Sequence, residues 1–344
     1  MKRAFLWVVI LVLCMWGRTM AGQRKLTIGP ATESHKLSRV SLRDSHLAGV
    51  FKWDRAGFLI RILREQPPQV FIYDRRGRLM RQIAPMESFP EAEVMSVGDV
   101  ALTSEGSILV AVTMRRAENE YASALLEYAR SGDMKRIIKT DPFVVKKMAL
   151  DSEGNIWVLG YDWQQMEISF DWPMIRRLSP DGVWLTSALP RSFFSEDSAP
   201  LNIAGPGVVV SDIYFDILED RMYVWLPGVN RLITLDLAGR ILQVVNEPFR
   251  RVFGDLVTSV EVISLVFMPG SGVMTQIRGY GEGGETRSGW MASSDLGRGW
   301  IRVIDRRVDP MATRLVGLTQ RGEVVCLRVI RSGDVEIELA PIGF

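Results

Sequence analysis

Cysteine and histidine are the scarcest side chains of this 344-residue chain, which has two of each. Cys14 falls in an apolar N-terminal segment, so Cys326 alone belongs to the folded part and an internal disulfide is excluded there. The two histidines, His35 and His46, are too few for a multi-histidine metal site. The stability of the folded part must therefore come from its hydrophobic core.

The chain also lacks an excess of charge of either sign. It has 42 Lys and Arg residues against 40 Asp and Glu residues, a formal net charge of +2. Removal of the N-terminal segment with Lys2, Arg3 and Arg18 would change this to −1. Nucleic acids and anionic membrane surfaces attract clustered positive charge. The composition therefore argues against both as general partners.

The apolar run at the N-terminus is short. It covers residues 4–16, whereas a helix needs about 20 apolar residues to span a bilayer. Basic residues precede the run, and Thr19-Met20-Ala21 follows it with small side chains at the positions that a signal peptidase reads. The pattern predicts a secretory signal over residues 1–21 and export to the periplasm or the extracellular space. A retained N-terminal anchor is the alternative.

Turn-forming residues, in contrast, are abundant and regularly spaced. The sharpest example is the stretch from Met148 to Gly160, an apolar strand followed by Asp151-Ser-Glu-Gly and a second strand that begins Asn-Ile-Trp-Val. Weaker copies recur about every 50 residues, a period typical of propeller blades. The first turns of the repeats are 54–57, 103–106, 151–154, 218–221, 269–272 and 319–322. The second turns are 74–77, 130–133, 179–182, 236–239 and 295–298.

Short strands between such turns predict an all-β fold, and four strands per repeat predict a six-bladed β-propeller of antiparallel blades over residues 46–344. The last repeat is one strand short. The N-terminal segment 22–45 contains an unassigned strand at 37–42, which we expect to complete the last blade and close the ring. The stretch 26–31 is the alternative closing strand.

The Asp-x-x-Gly-Asn-Ile-Trp-Val form of the third repeat resembles the NHL-repeat and TolB-like six-bladed propellers, whose relatives include SMP-30/gluconolactonase-like enzymes. The resemblance implies a divalent cation held in the central channel by carboxylate and Asn oxygens. The ligand set of those enzymes does not match this chain residue by residue. No cofactor is therefore predicted, and a channel-bound divalent cation belongs only to an enzymatic alternative.

Alignment of the innermost strands on their turns gives one candidate site. It places four charged residues near the channel mouth: Asp99, Lys147, Asp212 and Glu261. Such residues can bind a cation or orient a polar ligand. The alternative is a solvated lining in which the charges compensate one another.

The long loops of the third repeat and of the connection that follows it give a second candidate. They contain six aromatic side chains: Tyr161, Trp163, Phe170, Trp172, Phe193 and Phe194. Rigid aromatic side chains on loops above a stiff scaffold are typical of a binding surface. Packing of the same rings into a small core that holds the loops down is the alternative.

These patterns together predict an exported, monomeric binding or scaffold module that recognises a peptide, protein or glycan through its long-loop face. A lactonase-like hydrolase or lyase with a channel-bound cation is the main alternative. A third interpretation is a structural component of a cell-envelope complex, held by a retained anchor.

Overall fold

The computed structural model describes residues 26–41, 50–117, 120–162, 172–194, 213–226, 230–249, 252–253, 259–270, 272–296, 299–307 and 313–343. These residues form short β-strands and two 3-10 turns, Pro85–Ser88 and Arg191–Phe194. No helix in these ranges is long and apolar enough to cross a membrane. The predicted signal segment, residues 1–21, lies outside the described residues.

Two strands precede the repeats, and four strands make up each of the first five. The N-terminal strands are β1 (Thr27–Ile28) and β2 (Glu33–Ser41). Blade 1 contains β3 (Val50–Trp53), β4 (Leu59–Leu63), β5 (Gln69–Tyr73) and β6 (Leu79–Ile83). Blade 2 contains β7 (Val94–Leu102), β8 (Ile108–Ala117), β9 (Glu120–Tyr128) and β10 (Met134–Lys139). Blade 3 contains β11 (Phe143–Leu150), β12 (Ile156–Asp162), β13 (Pro173–Leu178) and β14 (Trp184–Pro190).

The second half of the chain continues this pattern. Blade 4 contains β15 (Tyr214–Leu218), β16 (Arg221–Leu226), β17 (Arg231–Asp236) and β18 (Ile241–Asn246). Blade 5 contains β19 (Ser259–Met268), β20 (Gly272–Tyr280), β21 (Thr286–Ser293) and β22 (Ile301–Asp305). The last repeat supplies β23 (Thr313–Leu318), β24 (Val324–Val329) and β25 (Asp334–Ala340), followed by β26 (Ile342–Gly343).

The strands pair as six sheets, one for each blade, and the four strands of each blade are antiparallel. The innermost strand of each blade lies beside the channel, and β23 of the last blade contacts β3 of the first. The ring is therefore complete, and the predicted six-bladed all-β propeller is confirmed.

An N-terminal strand closes the ring, as the sequence predicts. Strand β2 pairs antiparallel with β25, with Glu33 opposite Leu339 and Lys36 opposite Glu336. Leu37 of the same strand is fully buried. The alternative stretch has a different place, because β1 pairs with β22 in parallel and with β26 antiparallel and so extends blade 5.

The motif of the third repeat has a structural role. Asp151 accepts hydrogen bonds from the backbone amides of Glu153 at 3.0 Å and Asn155 at 2.9 Å. Its second oxygen accepts one from the indole of Trp157 at 3.0 Å, and that indole is completely buried. The motif therefore shapes a turn and anchors a core side chain, as expected for an Asp that bonds nearby backbone amides.

The hydrophobic core is divided among the junctions between blades. Each of six clusters of buried apolar side chains joins two neighbouring blades, and the cluster between the last and first blades includes Leu37 and Val40 of β2. Burial of apolar area is the main stabilising term in folding. Each blade is thus held mainly by its neighbours.

The inner strands approach one another closely where they surround the channel. A Cβ on Gly98 of β7 would press against the carbonyl oxygen of Val145 in β11. A Cβ on Gly317 of β23 would likewise collide with Trp53 of β3. Glycine at these two positions therefore sets the spacing between blades.

We predict that Gly98→Ala destabilises the fold by about 2 kcal/mol, because the added methyl group meets a backbone atom that cannot move freely. Gly289→Ala is the matched control, since a Cβ on this strand glycine meets open space. We expect the control to change stability by less than about 1 kcal/mol. Urea denaturation of both variants measures the difference, and equal effects would contradict a tight contact at Gly98.

Candidate functional site

One candidate site is a cavity of about 570 Å³ in the central channel. Residues of all six inner strands line it, together with residues of three first turns. The cavity therefore lies at the end of the channel where the first turns are. This is the face opposite the loops that connect the second and third strands of each blade.

The charged side chains of the lining are predominantly basic. Within the described residues, five are cationic, namely Lys52, Arg55, Lys147, Arg314 and Arg321. Two are carboxylates, Asp99 and Asp216.

A buried ion pair ties three blades together at the floor of this cavity. Lys52 of β3 donates to Oδ2 of Asp99 in β7 at 3.0 Å, and also to the carbonyl oxygens of Val100 at 3.3 Å and Met148 at 3.2 Å. The amide of Met148 in β11 donates to the same Asp99 oxygen at 2.9 Å. Burial lowers the pKa of Lys52, but the pairing with Asp99 outweighs that effect and leaves the pKa raised.

The second carboxylate is also paired. Arg55 donates to Oδ1 of Asp216 at 2.9 Å, and both side chains are partly exposed. Gln320 also contacts Arg55, because its side-chain amide donates to the carbonyl oxygen of Arg55 at 3.1 Å. Each carboxylate of the lining is therefore held by one basic partner.

Lys147 of β11 has no such partner. It is only 8% exposed, and within the described ranges its amine makes no hydrogen bond or ion pair. Burial lowers the pKa of Lys147 to about 8; Asp99 raises it, while Lys52, Arg64 and Arg314 lower it further. A substantial fraction of Lys147 is therefore a neutral amine at mildly alkaline pH.

Arg314 of β23 is a second unpaired cation. Among the residues that the structure describes, none accepts a hydrogen bond from its guanidinium. Lys147 belongs to blade 3 and Arg314 to blade 6, and these blades are opposite each other in a six-membered ring. Two basic side chains thus line opposite sides of one channel.

Irregularities in the inner strands help to place these side chains. The pairing register shifts at Val97/Val100 in β7, Val145/Lys147 in β11, Val262/Ser264 in β19 and Leu315/Gly317 in β23. A bulge interrupts the alternation of side chains and re-aims the residues beside it. Asp99, Lys147 and Arg314 all lie within or next to such a bulge.

The structure brings together two of the four residues predicted near the channel mouth. Asp99 and Lys147 line the cavity. Glu261 lies outside this lining, near the opposite end of β19, where it accepts a hydrogen bond from Tyr280 at 2.5 Å. Asp212 lies outside the described residues. Sequence reasoning missed Lys52 and Arg314, although each is a basic residue in an otherwise mainly apolar inner strand.

The described members of the aromatic set contribute to a packed cluster. Trp172 is 4% exposed in the cluster between blades 3 and 4, and the partly buried rings of Tyr161 and Phe193 pack against it. The ammonium of Lys146 lies 5.3 Å from the centre of the Tyr161 ring. Trp163, Phe170 and the side chain of Phe194 lie outside the described residues. A binding role for this set stays a prediction.

The cavity lining does not suit the divalent cation that the sequence resemblance implies. Calcium takes about 6–8 oxygen ligands, whereas here Asp99 and Asp216 are already paired with basic side chains. Oδ1 of Asp99 has no hydrogen-bond donor among the described residues. Two carboxylates that are each paired with a basic side chain, in a lining whose described residues include five such side chains, are a poor cation site. Across the described part of the chain, no three His, Cys, Asp or Glu side chains form a metal-binding group.

Comparison with known proteins finds solved structures of low similarity. No family model matches the chain, and no curated protein matches it in sequence. A streptogramin B lyase structure is similar at 10% identity and a TM-score of 0.48, over 92% of this chain and 98% of that one. Virginiamycin B lyase from Staphylococcus aureus is similar at 8% identity and 0.44, over 92% and 100%. Regucalcin, a calcium-binding protein from Agrobacterium tumefaciens, is similar at 11% identity and 0.36, over 66% of each chain.

All three TM-scores are below 0.5. The sequence identities are too low to transfer an activity, so the six-bladed assignment depends on the strand order of this chain.

We predict that Lys147→Met stabilises the protein at neutral pH by up to about 3 kcal/mol. The folded state must bury this ammonium without a partner, and its pKa falls from 10.5 to about 8. Between these pH values the unfolded chain binds more protons than the folded one, so wild-type stability rises with pH. The advantage of the variant should therefore shrink above pH 8 and vanish near pH 10.5.

Lys52→Met is the matched control for that measurement. It removes a lysine from the same cavity but leaves the buried Asp99 carboxylate without its cation, so we expect a loss of about 3–5 kcal/mol. Urea denaturation of both variants at several pH values checks the two signs. Destabilisation by Lys147→Met at neutral pH would contradict an unpaired ammonium.

We predict that Trp172→Ala destabilises the protein by about 3–5 kcal/mol, because its ring fills the core between blades 3 and 4. Trp184→Ala is the control, since this outer-strand ring is 37% exposed. We expect the control to lose less than about 2 kcal/mol. Equal, small losses in urea denaturation would instead favour the interpretation of Trp172 as a binding residue.

Proposed function

We propose that this propeller is an exported binding module whose channel cavity takes an organic anion with an apolar body. One observation carries the proposal. Among the described residues, the cavity has five basic side chains and two carboxylates, and each of these carboxylates is already paired with one of the basic residues. Three cations, Lys147, Arg314 and Arg321, are left without a carboxylate in the described part of the chain.

Electrostatics favours an anion at this position. An ammonium buried without a counterion is destabilising, and its pKa falls in response. A bound carboxylate or phosphate would supply the missing negative charge. The attraction is also stronger in an enclosed cavity than in water, because the local dielectric constant is lower.

The apolar residues of the lining indicate that the ligand also has an apolar part. Phe51, Phe215, Leu265 and Phe267 are buried apolar residues in the cavity wall. Small-molecule sites generally combine such a wall with a few polar groups and enclose about 300–1,000 Å³. The volume here, about 570 Å³, lies within that range.

Export remains part of the proposal and is supported by the signal pattern of residues 1–21. Capture of a peptide, protein or glycan by the long-loop face is a separate proposal, which the packing of Trp172 makes less favourable. The enzymatic alternative receives little support from the basic channel.

We predict that phenylacetate binds the wild-type protein with a Kd of about 1 mM or tighter, whereas its neutral analogue phenylacetamide binds at least 10-fold more weakly. The two probes share one shape and differ in charge. Isothermal titration calorimetry at constant ionic strength measures both. Equal affinities would contradict anion recognition.

Variants localise the binding. Arg314→Gln and Lys147→Gln should each weaken phenylacetate binding by about 10-fold, the contribution of one charged hydrogen bond. Arg331→Gln, which changes an exposed turn residue outside the cavity, is the control and should leave the affinity unchanged. A loss in the control equal to that in the cavity variants would place the site elsewhere.

A further inference from the structure

The cavity contains two lysines in different chemical states. Lys52 donates to Asp99 and to two backbone carbonyl oxygens, which uses all three of its N–H donors. Lys147 makes no hydrogen bond or ion pair within the described residues, although it is buried and lines the cavity. One lysine is therefore a structural cation, whereas the other presents an unengaged amine to the cavity.

An unengaged amine enclosed with a surplus of positive charge has a specific reactivity. A neutral primary amine is a nucleophile toward carbonyl carbon, and lysines become reactive when burial and nearby cations favour the neutral form. The groups that influence Lys147 are Asp99 on β7, Lys52 on β3, Arg314 on β23 and Arg64 after β4. Three of these four are cationic, so the surroundings favour the neutral amine.

We propose that Lys147 captures an anionic carbonyl compound, an aldehyde or 2-oxo acid, as an imine whose carboxylate is held by Arg314. This inference rests on the proposed anion site and adds its ligand class. Arg314 lies on the opposite blade, so one ligand can place its carboxylate at one side of the channel and its carbonyl at the other.

The chemistry balances without an oxidant or reductant. The lone pair of the Lys147 amine forms a bond to the carbonyl carbon, and the π electrons of the carbonyl move to its oxygen, which takes up a proton. The nitrogen releases one proton to give a neutral carbinolamine. Its lone pair then forms a double bond to carbon, and the oxygen leaves as water after a second protonation. The net change is uptake of one proton and loss of one water. The product is a protonated imine.

The test uses 4-formylbenzoate as the probe and cyanoborohydride to reduce the imine. Reduction leaves a stable adduct with the mass of the probe minus one oxygen atom, and peptide mapping of the full-length wild-type protein locates it. At pH 7 we expect Lys147 to react on the order of 100-fold faster than the exposed Lys36, because burial among cations favours the neutral amine of Lys147, whereas the ammonium of Lys36 pairs with Asp334 at 2.8 Å. The rate at Lys147 should reach half of its maximum near pH 8.

Matched variants separate the roles of neighbouring residues. Lys147→Arg keeps the charge but cannot form an imine, so the fast adduct should disappear. Lys146→Arg changes the adjacent residue, which does not line the cavity, and should leave the adduct in place. Arg314→Gln should slow labelling by 4-formylbenzoate about 10-fold more than labelling by uncharged benzaldehyde, because Arg314 acts on benzaldehyde labelling only through the pKa of Lys147.

Labelling of Lys147 no faster than that of Lys36 would overturn the inference, and so would persistence of the fast adduct in Lys147→Arg. The wild-type mapping decides the first point even if a variant fails to fold. Phenylacetate binding without an adduct at Lys147 would leave the anion site intact and remove only the imine. Failure of both experiments would remove both proposals.

Discussion

The buried ion pair between Lys52 and Asp99 is the interaction on which the channel depends. It joins blade 1 to blade 2, and the amide of Met148 extends it to blade 3. Loss of one partner from such a pair is strongly destabilising, because the other charge stays buried alone. The pair also commits the carboxylate that would otherwise neutralise Lys147. The contact that stabilises three blades therefore creates the unpaired amine beside them.

The close packing of the ring fixes the backbone around that amine. Each blade is packed against two neighbours, and the inner strands meet so closely that Gly98 and Gly317 have no room for a side chain. Protein interiors at this density resist local rearrangement. The backbone that carries Lys147 is therefore fixed in place, and the proposed anionic ligand would meet charges that are already assembled.

The fold and part of the site could be predicted from the sequence, because turn residues mark where each strand begins and ends. Turn chemistry is local, so the six repeats and the missing strand of the last blade are readable one after another. The residues four positions before the first turns of the second and third repeats are Asp99 and Lys147, so alignment on the turns found both. Only one position of each inner strand is selected in this way, so the alignment missed Lys52, which is nearer its turn. It could not detect the bulge that brings Arg314 to the cavity, because a bulge depends on pairing with the neighbouring strand. Glu261 is far from its turn, at the other end of a long strand.

The charge of the channel lining is set by individual residues and not by the fold. A six-bladed ring converges six inner strands on one channel, and each strand contributes only a few side chains to its lining. The resemblance to SMP-30-like propellers implies oxygen ligands for a divalent cation at this place. Here Lys147 and Arg314 occupy opposite sides of the channel, and the carboxylates are paired. The proposed anion site therefore depends on individual side chains of the inner strands, because the scaffold fixes only where the charges meet.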